Sequence, residues 1–95
     1  RLAMVQGEPI DPVVWDVWCA VVEYETGARH GFTARVARLD AWGVVEANAR
    51  SLQLALAVYR WLLARFAMTA PDRVAGWRQR VLECEGALRF QTMDA

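Results

Sequence analysis

Two stretches of this chain, DPVVWDVWCAVVEYETG at residues 11–27 and SLQLALAVYRWLLARFAM at residues 51–68, are spaced like helices but are apolar around most of their circumference. A helix with so little polar surface must be covered on nearly every side. A chain of 95 residues has room for one core, so both helices are expected in the same small domain, and the second, broader one at its centre.

The first stretch is sharply punctuated. Asp11 can accept from the open amides as N-cap, Pro12 fits the first turn, and Gly27 supplies a left-handed stop. Asp16 and Glu23, seven residues apart, form a narrow polar strip, and between Val13 and Val22 Asp16 is the only polar residue. Trp15, Trp18, Val14, Val21 and Val22 cover the remaining directions. One apolar flank is expected to pack on the LALAVYRWLL helix, where Gln53 and Arg60 mark a narrow polar strip. The other flank is expected to face a different neighbour.

The segment RHGFTARVARLDAWGVVEANAR reads as a helix capped by Thr33, with Phe32, Val36, Leu39, Trp42 or Gly43, and Val45 at helical spacing and Gly43 at a bend. The competing reading is a β-hairpin around residues 21–36, because Val22, Tyr24 and Thr26 alternate, as do Phe32, Ala34 and Val36. A last helix opens at TAPDR, with Thr69 as cap and Pro71 in the first turn. Val74, Trp77, Val81, Cys84 and Leu88 repeat at alternating spacings of three and four, a seam for packing on another helix. Glu85 and Arg89 have i,i+4 spacing, and the outer face is expected to be wet. Residues 1–10, with Gly7 and Pro9, lack periodicity and read as a flexible arm. The expectation is therefore an all-α domain over residues 11–95, a bundle of three to four helices.

Charge and composition narrow the function classes. Eleven basic residues balance eleven acidic ones, which argues against a basic nucleic-acid tail and an acidic DNA mimic alike. The split is uneven: residues 1–27 hold one Arg against five acids, and residues 28–67 hold six Arg against two acids. This pattern could hold one end of the chain, or one subunit, against another. Every basic residue is Arg, which together with abundant Ala and Val suggests a GC-rich bacterial or phage genome.

Chemistry finds few candidates. Cys19 and Cys84 sit in apolar helical patterns, and two thiols make no disulfide framework, so a reduced cytoplasmic setting is the simpler expectation. Cys19 with His30 is the only thiol and imidazole pair, and core packing is the ordinary role of such a cysteine. No metal-ligand spacing and no phosphate-binding glycine loop is present, so no catalytic residue, metal or cofactor is assigned and an enzyme is not expected. The most apolar run is short for a membrane span and is interrupted by Arg60 and Arg65, so no membrane partner is expected.

Two binding modes remain. Trp and Tyr are enriched at interface hot spots, and five Trp are hard to hide in 95 residues. Trp15, Trp18, Val22 and Tyr24 are the expected contact residues for a protein partner or for self-association into a homo-oligomer. The alternative is a small DNA- or RNA-binding regulator using Arg29, Arg35 and Arg38, for which a solvated face, or ion pairing to the acidic first helix, is the plainer use. The helix-turn-helix pattern is incomplete, because VVEANARSLQLALAVY is poor in side chains that read bases.

The run TGARHGFTARVARLDAW resembles small phage proteins encoded near tail-assembly chaperones, in which a Thr-Gly turn precedes a Leu-Asp helix start. The resemblance covers under a fifth of the chain, and Arg38 stands where those proteins carry Gly before the Leu-Asp pair. It implies a phage or mobile-element accessory, either an assembly factor or an inhibitor of a host complex such as a defence effector, and it transfers no residue roles.

Overall fold

A computed structural model describes residues 9–93, which form four helices: α1 (Pro12–Glu25), α2 (Phe32–Asp40), α3 (Ala49–Phe66) and α4 (Pro71–Met93). The domain is all-α, and no strand occurs among the described residues, so the hairpin alternative is not formed. Val22 and Tyr24 lie inside α1, and Phe32 and Val36 inside α2. Most of the expected N-terminal arm lies outside the described residues. Of its last two residues, Ile10 packs on the core and the Pro9 carbonyl accepts from Asn48 Nδ2 at 2.8 Å.

The start of α1 follows its punctuation: Asp11 Oδ1 accepts from the Val13 amide at 2.9 Å, and Pro12 occupies the first position. Gly27, at φ 104°, makes the left-handed exit. α3 is capped by Asn48, whose Oδ1 accepts from the Ser51 amide at 2.9 Å, so it begins two residues earlier than the apolar pattern suggests. The buried Ser51 hydroxyl then accepts from the Asp11 amide at 2.8 Å, tying the starts of α1 and α3 together. At the far end Trp61 Nε1 donates to Glu25 at 3.0 Å, so the two helices run in the same direction.

α3 is the centre of the bundle. Leu52, Ala55, Val58, Tyr59 and Leu62 are fully buried against Val14 and Val17 of α1, Leu39 of α2 and Cys84 of α4. α4 runs antiparallel to α3, as Tyr59–Arg80, Arg60–Glu85 and Ala47–Gln91 contacts show. The seam holds from Trp77 onward: Trp77 and Cys84 are buried, with Val81 and Leu88 packed at the edge, whereas Val74 is half-buried outside the core cluster. Glu85 reaches across to Arg60 at 2.7 Å, an inter-helix pair that the i,i+4 spacing with Arg89 did not anticipate.

Three local expectations are corrected. The α2 cap is Gly31, at φ 73°, and Thr33 is the second helical residue. α2 ends at Asp40, so Trp42 and Gly43 lie in a loop and Val45 is 89% exposed there. Leu39 and Asp40 thus close a helix, whereas the resembling phage proteins begin one at that pair. α4 opens at Pro71 directly after Ala70, and the Thr69 amide donates to the Phe66 carbonyl in the preceding turn.

A half-buried arginine closes the end of α2. Arg80 of α4 donates from its terminal nitrogen to the carbonyls of Leu39 and Trp42, both at 2.9 Å, and from Nε to the Tyr59 hydroxyl at 3.1 Å. It thereby adds a second donor to one carbonyl of the last turn, which also accepts from the Trp42 amide, and supplies a donor to a carbonyl of the loop beyond it. Tyr59 in turn donates to Asp40 at 2.8 Å, and Arg73 donates to the other oxygen of the same carboxylate at 3.3 Å. The end of α2, the middle of α3 and the first half of α4 are thus held by one polar network.

Candidate interaction surface

The sides of α1 have different surroundings. Val14, Val17 and Val21 face the core. Asp16 and Glu23 face α2, where Arg35 donates to both oxygens of Asp16 at 3.0–3.2 Å and to Glu23 at 2.8 Å. Arg38 adds a contact to Asp16 at 3.3 Å. The Arg35 hydrogen bond holds the Asp16 carboxyl below its ordinary 3.8, against a smaller opposing effect of burial, and both carboxylates raise the Arg35 guanidinium.

On the remaining side, opposite the core residues, Trp15 is 52% and Val22 49% exposed. They are seven residues apart, hence nearly in line along the helix, with half-buried Cys19 between them. Trp18, at the edge of this face, packs partly on the core. A large aromatic held on a rigid helix beside an aliphatic surface is an arrangement typical of interface anchors.

Tyr24 is placed elsewhere. Its ring lies 4.7 Å from Phe32 and 5.5–5.7 Å from Phe66 and Trp61, and the Arg29 guanidinium stacks over it at 4.3 Å. Aromatic pairs of this kind add about 0.5–1.5 kcal/mol each beyond buried area, so Tyr24 joins α1 to α2 and α3. The three arginines considered for nucleic acid are likewise engaged within the chain, Arg35 and Arg38 with the α1 carboxylates and Arg29 with Tyr24.

Cys19 lies on α1 and His30 in the exposed turn after it, while burial raises the thiol of Cys84. Among the described residues no group of three or more His, Cys, Asp or Glu is placed to hold a metal ion. No helix among them is long and apolar enough to cross a membrane.

A second apolar surface emerges on α4. Leu82 is 61% and Phe90 69% exposed, with Gly86 midway between them. They border an open groove of about 680 Å³ whose other wall is Trp42, Val44 and Val45. A Cβ built on Gly86 would meet nothing within 4 Å, so no neighbour inside this chain requires glycine there. Glycine in a helix interior costs roughly 0.5–1 kcal/mol relative to alanine. This face is exposed, but its Leu82–Gly86–Phe90 ridge is masked in the sequence by the stronger seam on the opposite side. The i,i+4,i+8 spacing of these residues was the available signal.

Comparison of the chain with family models, with curated proteins and with solved structures finds no match.

Proposed function

We propose that this protein is a non-enzymatic interaction module that docks on a larger protein through the outward face of α1, with Trp15 as anchor, Val22 as its companion and Trp18 at the edge. The observation that carries the reading is the half-exposed Trp15 on a helix whose opposite side is fully buried and whose polar strip is already paired. Burial of an aliphatic or aromatic side chain yields about 1.5–3 kcal/mol, and a fixed indole gives up little conformational freedom on binding. A complementary apolar groove or helix on the partner would realise that gain. The setting we propose is the cytoplasm of a bacterium carrying a phage or mobile element, where the protein acts as an assembly factor or as an inhibitor of a host complex. Small size and the use of Arg for every basic residue support that setting.

A separation of stability from activity tests the reading. Trp15→Ser with Val22→Ser should leave helicity and melting temperature close to those of the parent chain while abolishing the phenotype produced by expressing the protein in its host. A parent phenotype retained by a folded double variant would contradict the reading.

A further inference from the structure

All four helices end or begin around one small cleft. Tyr24 at the end of α1, Phe32 at the start of α2, Phe66 at the end of α3 and Trp77 in α4 form its walls, with Arg73 beside them. The rings are tilted against one another instead of stacked, Phe66 by 40° to Phe32 and by 52° to Trp77. The space between them is about 210 Å³, below the roughly 300–1,000 Å³ of sites for drug-sized ligands. An occupant is therefore small, and walls made of rings favour a ring.

The charge that lines the cleft is positive. Arg73 is the one charged side chain among the described residues that line it. Its guanidinium lies 5.2 Å from the Trp77 ring centre, and one of its five donors goes to Asp40 at 3.3 Å. Arg29 and Arg65 lie 4.3 and 5.6 Å from the Tyr24 ring centre, and among the described residues neither meets a carboxylate. The nearby acids are turned elsewhere: Asp40 and Asp72 line a neighbouring cleft, and Glu25 accepts from Trp61 at 3.0 Å. The wall also holds an unmet donor. Trp77 is 5% exposed, and its enclosed Nε1 has no hydrogen-bond partner among the described residues, a condition that folded proteins rarely leave uncompensated. An anion held by Arg73 comes to the side of that indole.

We propose that this cleft binds a small planar aromatic carboxylate, with its ring between Phe32, Phe66 and Trp77 and its carboxylate on the remaining donors of Arg73. A neutral ring would leave the guanidinium unused, and an amine would be repelled by it. The site is separate from the outward face of α1 and adds a small-molecule ligand to a docking module.

Indoleacetate is the probe, titrated into the nitrogen-labelled full chain while two-dimensional NMR follows the side-chain N–H signals of the five Trp. Trp77→Phe identifies the Trp77 signal. The expected result is a saturable shift of that signal with a Kd of about 1 mM or tighter, while the Trp15 signal stays in place. Arg73→Gln should weaken binding about tenfold or more, the worth of a charged hydrogen bond. Indoleacetamide, which is neutral, and tryptamine, which is cationic, should bind the parent chain weaker by a similar factor. Thr33→Phe, at an exposed position lining the cleft, should fill it and abolish binding, whereas Ala34→Phe, beside it on α2 but outside the cleft, should not. Circular dichroism of each variant checks that the helices are kept.

No saturable shift of the Trp77 signal up to about 5 mM probe overturns the proposal. Equal binding of the acid and its amide, or an affinity unchanged in folded Arg73→Gln, also overturns it. Tighter binding of adenosine monophosphate than of indoleacetate does so too, by assigning the cleft to a nucleotide. None of these outcomes touches the α1 reading, whose test lies at Trp15 and Val22.

Discussion

The side chains that organise this protein most strongly are two arginines and the groups they hold. Arg35 bridges Asp16 and Glu23, and its side chain is only 19% exposed. Replacing it with Ala should destabilise the fold by roughly 1–2 kcal/mol, between the small worth of exposed pairs and the larger worth of hydrogen bonds to charged groups. Denaturant unfolding measures this. The same bridge sets a pH dependence. Because Arg35 lowers the folded-state pKa of Asp16 beneath its ordinary 3.8, Asp16 contributes stability that is present above about pH 4 and lost as pH falls further. Asp16→Asn should therefore be less stable than the parent at pH 7, with the difference narrowing toward pH 2–3 in melts across that range. Arg80 anchors the other end of the molecule, and Tyr59 stands between it and Asp40. Burial, with the hydrogen bond to Asp40, raises the Tyr59 hydroxyl well above 10, despite the opposing bond from Arg80. The neutral phenol thus stabilises the fold fully below pH 10 and loses that contribution as pH rises. Tyr59→Phe leaves polar groups of Asp40 and Arg80 short of a partner and should cost about 1–3 kcal/mol near neutral pH.

At the scale of elements, what could be read from the sequence was what local chemistry decides. Asp11, Pro12 and Gly27 bound α1 as their cap, first-turn and left-handed roles require, and the Val74–Leu88 spacing gave the α4 seam. The division of α1 by its Asp16/Glu23 strip was likewise legible, whereas the excess of Arg beyond residue 28 left open whether those arginines meet this strip or a nucleic acid, and the fold pairs Arg35 and Arg38 with it. The end of α2 was not legible. Trp42 and Val45 continue the helical period, and the group that donates to the Leu39 and Trp42 carbonyls, Arg80, lies 38–41 residues away in sequence. The separation of Tyr24 from Trp15 is hidden for a related reason: the cluster around Tyr24 depends on Phe32, Trp61 and Phe66, which only the folded chain assembles. If Arg80 holds the loop, Arg80→Leu should speed amide exchange over residues 41–48 far more than over α1, as mass-spectrometric hydrogen exchange would show. Equal protection in the loop of that variant would assign the α2 end to some other contact.

For the whole molecule, the arrangement is a covered α3 with two partly uncovered helices. α1 leaves Trp15 and Val22 outward, and α4 leaves Leu82 and Phe90 outward. One core in a chain this short cannot bury every large apolar side chain; four of those left exposed lie on these two helix faces, and Val45 and Met68 lie in the connections between helices. A phosphate-binding role would draw instead on Arg29, Arg35 and Arg38, all of which make contacts within the chain. Any DNA retention by the protein should accordingly be weak and survive Arg38→Ala with little change, in gel-shift titrations from about 50 to 200 mM salt. Strong, salt-sensitive retention lost with Arg38 would favour the nucleic-acid alternative.

The central claim is that the outward face of α1 meets another protein. A photo-crosslinking amino acid placed at position 15, in the full chain expressed in its host, tests this most directly, with the same group at exposed Gln53 on the polar strip of α3 as control. The account predicts a discrete adduct with a protein other than this chain from position 15, absent from position 53 and lost when Val22→Asp is added to the position-15 variant. No adduct from position 15, or the same adduct from both positions, would contradict it.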